Sequence, residues 1–401
     1  MFSDKRAKHL IAIFVFLLLI AFFSLLQPTS LVGKDCWWYE SYTVGRLKLT
    51  YPINCDSPEF ARLVVKFPYS YGQNPIRMNR PLYPALAAPV YQLIRSWLKL
   101  PPKIVAQITS QLALVSHQSA WQGIVPQDLA SAWLSLVIIN FILVALAGYW
   151  LIQAGQTAGW GQLSLPLSLL MLFSIRLKDY LLLPHTTMFD FLIPAYLFNL
   201  AMSPKAPSFK AVLLTGILLL GKPLYFTIPI IIWLFWRQSK QSLFKILALF
   251  LPTILYIGSF YYLGIPYYSH ESAVYREGVW LLDSLRQSGY WRTLPLVLVQ
   301  IAKLLGYALI IFKIELLFLL SLWGLVRPAK LLLGKNRMFI GVYFFSWLGF
   351  FVLVGYVEQG ITYTLFPILL LVFGQLINRL PAKVQNWALV AGFMIKGILW
   401  F

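Results

Sequence analysis

A chain of 401 residues with 59% hydrophobic, 16% aromatic and only 11% charged residues does not have a soluble domain's composition, in which roughly a quarter of the residues carry charge. A mean hydropathy of +0.72 and repeated apolar runs of about twenty residues exclude a cytosolic enzyme, a disordered chain and a disulfide-rich miniprotein. The net charge of +20 is scattered between the apolar runs, forms no groove-sized patch and points to membrane loops rather than nucleic acid.

The first apolar run, Leu10–Leu26, follows the basic start MFSDKRAKH. No small-residue cleavage site follows in QPTSLVG, so it reads as an uncleaved anchor with a cytoplasmic amino terminus. Residues 27–81 then form a first extracytoplasmic loop holding the only two cysteines, Cys36 and Cys55. In an oxidising compartment they would close a disulfide loop of roughly twenty residues, worth on the order of 3 kcal/mol; the alternative is two unpaired thiols. Further apolar helices are predicted at Leu82–Leu98, Ile104–Trp121, Leu129–Gln153, Leu163–Leu182, Met188–Ala201, Ala211–Trp236 and Ile246–Leu263. A second large outer loop with an interfacial helix occupies 264–306, because Leu294–Val326 is too long for one upright span. Phe339–Val357, Ile361–Ile377 and Trp387–Phe401 complete the series. The expected fold is a single all-α polytopic transmembrane domain, residues 1–401, with about 11–13 transmembrane helices and short interfacial helices on its outer loops.

Cations set the topology. The connections holding Arg95/Lys99/Lys103, Lys205/Lys210, Arg237/Lys240/Lys245, Arg327/Lys330/Lys335/Arg337 and Arg379/Lys383 carry no carboxylate, which makes them cytoplasmic. Lys210 and Arg237 flank one apolar segment yet belong to the same side. Gly221-Lys222-Pro223 at its centre breaks the helix, so Ala211–Trp236 is expected to fold as a broken hairpin with Lys222 at the outer tip. Most carboxylates then fall at or near the outer face.

Several stretches resemble the membrane glycosyltransferases of the GT-C class, such as mannosyl- and aminoarabinose-transferring members. These are CDSPEFARL leading to RPLYP, the acidic LPHTTMFDFLIPAYLFNLAM, the Gly-Lys-interrupted FKAVLLTGILLLGKPLYFTIPIII and EQGITYTLFPILLL. Together they cover most of the chain in the family's order. The resemblance implies a GT-C-like bundle that moves a sugar from a polyprenyl-phosphate donor to a lipid or glycan acceptor, as in cell-envelope glycan assembly. The sequence has no Asp-X-Asp pair on an outer loop, so the divalent metal some members use is not implied, and it shows no large soluble carboxy-terminal domain.

Such transfer needs a carboxylate to take the acceptor's proton and cations for the leaving phosphate. By the resemblance Asp56 is the base, though DSPEF also suits a helix cap. Glu59, one turn later, is a second acid or a favourable first-turn charge, with Asp35 and Glu40 behind it. Asp190 belongs to the second acidic site, a place Asp179 fills instead unless it pairs with Arg176 or Lys178. Lys222 is the phosphate ligand, or else snorkels to the headgroups. Arg80, Tyr83, His185 and Arg276 complete the expected substrate contacts, unless Arg80 is a plain interfacial anchor and His185 a hydrogen-bonded loop residue; Arg286 and Arg292 are weaker candidates, and Glu315 with Lys313 marks a membrane-level site or a wet helix junction. The competing function is a transporter or lipid-linked sugar flippase, which usually places ionisable groups near mid-bilayer. A bacterial plasma (inner) membrane is expected because no eukaryotic retention signal appears.

Overall fold

The computed structural model describes residues 4–26, 37–44, 47–54, 56–68, 80–98, 100–103, 105–106, 108–109, 124–236, 243–264, 280–323, 335–355 and 359–400. Cys36, Cys55 and Arg276 lie outside them, as does most of the expected span Ile104–Trp121. Helices dominate. Among the described residues five are long and apolar enough to cross a membrane: Arg6–Leu26, Pro126–Thr157, Trp280–Ile311, Asn336–Val354 and Gly360–Ile377. The chain is an α-helical membrane protein.

The segment after the first spanning helix adds one strand pair to this helical fold. Strands β1 (Trp37–Val44) and β2 (Leu47–Asn54) pair antiparallel, Trp37 opposite Asn54 and Val44 opposite Leu47. Their Trp, Tyr, Thr, Val and Ile residues favour a strand as strongly as they favour a membrane interface.

The long helix α4 (Pro126–Thr157) is the axis of the bundle. Tyr83 of α3 (Leu82–Trp97) bonds to Leu136 and Asn140, while Arg95 of α3 pairs with Asp128. Helix α3 therefore runs antiparallel along the first half of α4. Ile13 of α1 (Asp4–Leu26) packs against Gly148. Ser24 of α1 donates to the carbonyl of Lys178, close to the Tyr180–Leu183 carbonyls that Asn140 holds. So α1 runs antiparallel along the second half of α4, and α1 and α3 point the same way, one beyond the other. We call the end carrying the amino terminus of α1 the basal end.

This arrangement corrects the side assigned to Arg95, which lies away from the basal end. The physical reason is its partner: Arg95 Nε sits 2.9 Å from an Asp128 oxygen, and a neutralised cation carries little topological information.

Around α4 the basal half is filled by short helices: α5 (Ser164–Leu172), α7 (Phe189–Met202), α8 (Phe209–Leu219) and α9 (Thr227–Trp236). At 1.5 Å per residue they reach only about 14–21 Å, less than the ~30 Å hydrocarbon core. None of these four is therefore among the five spanning helices. The segment Leu163–Leu182, expected as one span, breaks at Phe173-Ser174; the Ser174 hydroxyl accepts the Leu177 N–H and starts α6 (Ile175–Tyr180). Helices α8 and α9 form the expected hairpin. Their basal ends meet Tyr196 and Phe339, and the break lies at residues 220–226.

Helix α10 (Leu243–Tyr262) lies against α8 where Gly216 permits close approach; a Cβ there would stand 2.3 Å from the Leu249 carbonyl oxygen. Helix α11 (Trp280–Ile311) leaves helical geometry at Gly289, φ 71°, rather than after Gly306. It starts with Trp280 against Gly355 and is followed by Phe312 stacked on Tyr363. Both anchors lie away from the basal end. Helices α12 (Lys313–Trp323), α13 (Lys335–Val354), α14 (Phe366–Ile377) and α15 (Ala382–Trp400) close the bundle. Its interior is aromatic, with Phe198, Phe226, Phe339, Tyr343 and Trp347 buried.

Candidate functional site

The polar groups converge where the short helices stop. Leu219 ends α8, and Gly221-Lys222-Pro223 turns the chain back because proline cannot continue the ladder. The Leu220 carbonyl accepts the Leu82 N–H at the start of α3. At this tip Lys222 Nζ lies 2.5 Å from Asp190 Oδ2. Arg176 of α6 approaches the same oxygen at 4.0 Å and stacks on Tyr180. Asp190 is fully buried, and its Oδ1 has no hydrogen-bond partner among the described residues, an acceptor available to a hydroxyl. Gly221 lets the tip pass Phe189, whose ring would stand 2.3 Å from an added Cβ.

The second carboxylate arrives on α2 (Asp56–Val65). Asn54 accepts the Asp56 N–H at 2.8 Å, so a neighbour bonds the first amide of the helix. The Asp56 carboxylate is directed to His185, with Nε2 3.2 Å from Oδ2. His185 Nδ1 accepts from the Thr187 N–H, 3.2 Å, and contacts the Thr187 hydroxyl, 2.6 Å. An acceptor role at Nδ1 places the proton on Nε2, which donates to Asp56. Phe60 meets both His185 and Tyr83 edge-on.

Burial holds His185 below its usual pKa of 6.5; the Asp56 contact opposes this, and the charges of Arg80 and Lys222 reinforce it. The unfolded chain takes up the proton first as pH falls, so stability drops below about pH 6.5. The melting midpoint of the purified protein is expected to decline from pH 7.5 to 5.5. His185→Gln is expected to flatten that slope, as a differential-scanning melt would read.

Arg80 joins the two halves. Its guanidinium donates to Thr186, 2.8 Å, and its charge reaches both His185 and Lys222, as that of Arg176 reaches Lys222. Three cations thus face two carboxylates around a neutral imidazole. The cluster carries a formal surplus of positive charge in a water-poor setting, which favours an anion.

The residues expected from sequence divide. The structure gathers Asp56, His185, Arg80, Lys222 and Asp190. Tyr83 is fully buried and its hydroxyl is taken by Asn140 and Leu136, so it ties α3 to α4 instead of meeting a ligand. Glu59 sits in the first turn of α2. Asp179 is buried within electrostatic reach of Lys178, and Asp190 holds Lys222. Glu315 pairs with Lys396 rather than Lys313.

Arg176 is the member sequence reasoning missed as a ligand. Its place depends on Gly360, where a Cβ would stand 2.3 Å from the guanidinium carbon. Gly360→Ala is expected to push that flexible group aside, with little change in melting midpoint and roughly tenfold weaker binding of a polyprenyl phosphate in a direct titration.

Among the described residues no group of three or more His, Cys, Asp or Glu side chains is gathered as a metal site requires. No protein-family model, curated protein or solved structure matches the chain.

Proposed function

We propose that the chain is an integral-membrane glycosyltransferase of GT-C type. It moves a hexosyl or pentosyl group, with inversion, from a polyprenyl-phosphate donor to a hydroxyl of a lipid or glycan acceptor. The observation that carries this reading is one part-buried cluster joining the His185-held Asp56 to the cations Arg80, Arg176 and Lys222.

In this reading the acceptor oxygen attacks the anomeric carbon opposite the phosphate, and its proton passes to Asp56. The bond from the anomeric carbon to the phosphate oxygen breaks, and its electron pair leaves with the phosphate. His185 Nε2–H donates to Asp56 Oδ2 and holds the carboxylate that takes the proton. Lys222, Arg80 and Arg176 stabilise the departing phosphate, while Asp190 holds two of those cations in place and offers Oδ1 to a hydroxyl. The basal end, with Lys205, Lys210, Arg337, Arg379 and Lys383 beside the amino terminus, is cytoplasmic by the positive-inside rule. The site then faces the extracytoplasmic side, in keeping with a bacterial plasma membrane.

The test is reconstitution in liposomes with a panel of radiolabelled polyprenyl-phosphate sugars and lipid acceptors. Labelled product with release of polyprenyl phosphate supports the reading. Donor that crosses the bilayer with its glycosidic bond intact identifies a flippase and overturns it.

A further inference from the structure

A second set of charges is buried in the bundle, apart from that cluster. Lys396 of α15 is 2% exposed and Glu315 of α12 5%, and Lys396 Nζ lies 2.6 Å from Glu315 Oε1. An ion pair inside a membrane bundle is costly and gives no more stability than packed leucines would. Its other bonds show what it holds. Lys396 also donates to the carbonyls of Leu170, 2.8 Å, and Phe173, 3.0 Å. Leu170 lies in the last turn of α5, where carbonyls lack helical partners, and Phe173 follows that turn. The Tyr363 hydroxyl donates to the Met171 carbonyl between them. Side chains from α15 and from the 3-10 turn Gln359–Leu365 thus hold the end of α5. The chain then leaves helical geometry at Phe173, ψ 86°, and Ser174 restarts it as α6, which carries Arg176 two residues later.

We propose that Lys396, neutralised by Glu315, is a positioning residue for Arg176. Its ammonium fixes the 170–174 turn from behind, and the turn sets where α6 delivers the guanidinium. Glu315 makes the buried ammonium tolerable; the two carbonyl bonds do the positioning. The inference uses the anion-binding part of the functional reading and does not require sugar transfer.

The test is a double-mutant cycle on binding of a sugar-free polyprenyl phosphate to the full-length protein in detergent. Lys396→Met is expected to weaken binding about tenfold, and Arg176→Gln by a similar factor. Adding Lys396→Met to Arg176→Gln is expected to cost less than about twofold, because the first acts through the second. Lys396→Arg keeps a donor and is expected to stay within about threefold of wild type. The exchange Glu315→Lys with Lys396→Glu keeps the ion pair, but a carboxylate cannot donate to carbonyls, so binding is expected to stay weak.

Additive losses, or full recovery in the exchange variant, overturn the proposal. Amide hydrogen exchange gives a readout free of any ligand. Lys396→Met is expected to speed exchange in residues 173–181 while α8 and α9 stay at the wild-type rate; unchanged exchange in 173–181 overturns the proposal. If wild type binds no polyprenyl phosphate, the functional reading fails by itself and the exchange data decide the positioning role alone.

Discussion

Asp56→Asn is expected to lower turnover by about 10²–10⁴-fold, the usual contribution of a positioned base, while donor affinity stays within about threefold of wild type. The substitution is nearly isosteric. Asparagine Oδ1 still accepts the His185 Nε2–H that now meets Asp56 Oδ2, so the local geometry survives and only the capacity to take a proton is lost. Single-turnover transfer measured beside donor titration separates the two quantities. A variant that transfers sugar at the wild-type rate removes Asp56 from the chemistry, and equal losses in affinity and rate make it a binding group. A transporter would keep its flux.

The largest stability effect is expected from Lys222→Met. Asp190 is fully buried and Lys222 is its 2.5 Å partner, with only 12% of the lysine side chain exposed. Removing one member of a buried pair typically costs 3–5 kcal/mol, since the remaining charge stays desolvated. Arg176, 4.0 Å from the same oxygen, offsets part of this, so a loss near ~3 kcal/mol is expected in a denaturation series. The double variant Lys222→Met with Asp190→Asn is expected to regain most of that stability, because no uncompensated carboxylate remains. Binding of polyprenyl phosphate is expected to stay lost in both. Restored binding in the double variant would show that Lys222 serves only to neutralise Asp190.

Parts of this arrangement were legible in the chain. The hairpin of α8 and α9 followed from Gly221-Lys222-Pro223 together with cations at both flanks, because local backbone chemistry and charge bias agreed. Asp56 and Asp190 stood out as acids beside apolar helices. Arg176 did not, because RLKD places a cation on either side of Leu177 next to Asp179, and spacing alone pairs them locally. Its true neighbours, Asp190 and Gly360, lie on other segments. The sidedness of Arg95 failed for a similar reason, since the neutralising Asp128 is remote in sequence. The partner of Glu315 sits on the last helix, which periodicity cannot reveal. The β1–β2 hairpin was hidden by residue types that serve strands and bilayer interfaces equally.

The abrupt ends of the short helices have an electrical consequence. Helices α2, α3, α7 and α9 begin beside the cluster, whereas α1, α5 and α8 finish there. The aligned peptide dipoles put about half a positive charge at a helix's beginning and about half a negative one at its finish. With beginnings outnumbering finishes, the peptide macrodipoles add to the attraction for an incoming anion. That part of the field belongs to the main chain, so no single side-chain replacement erases it.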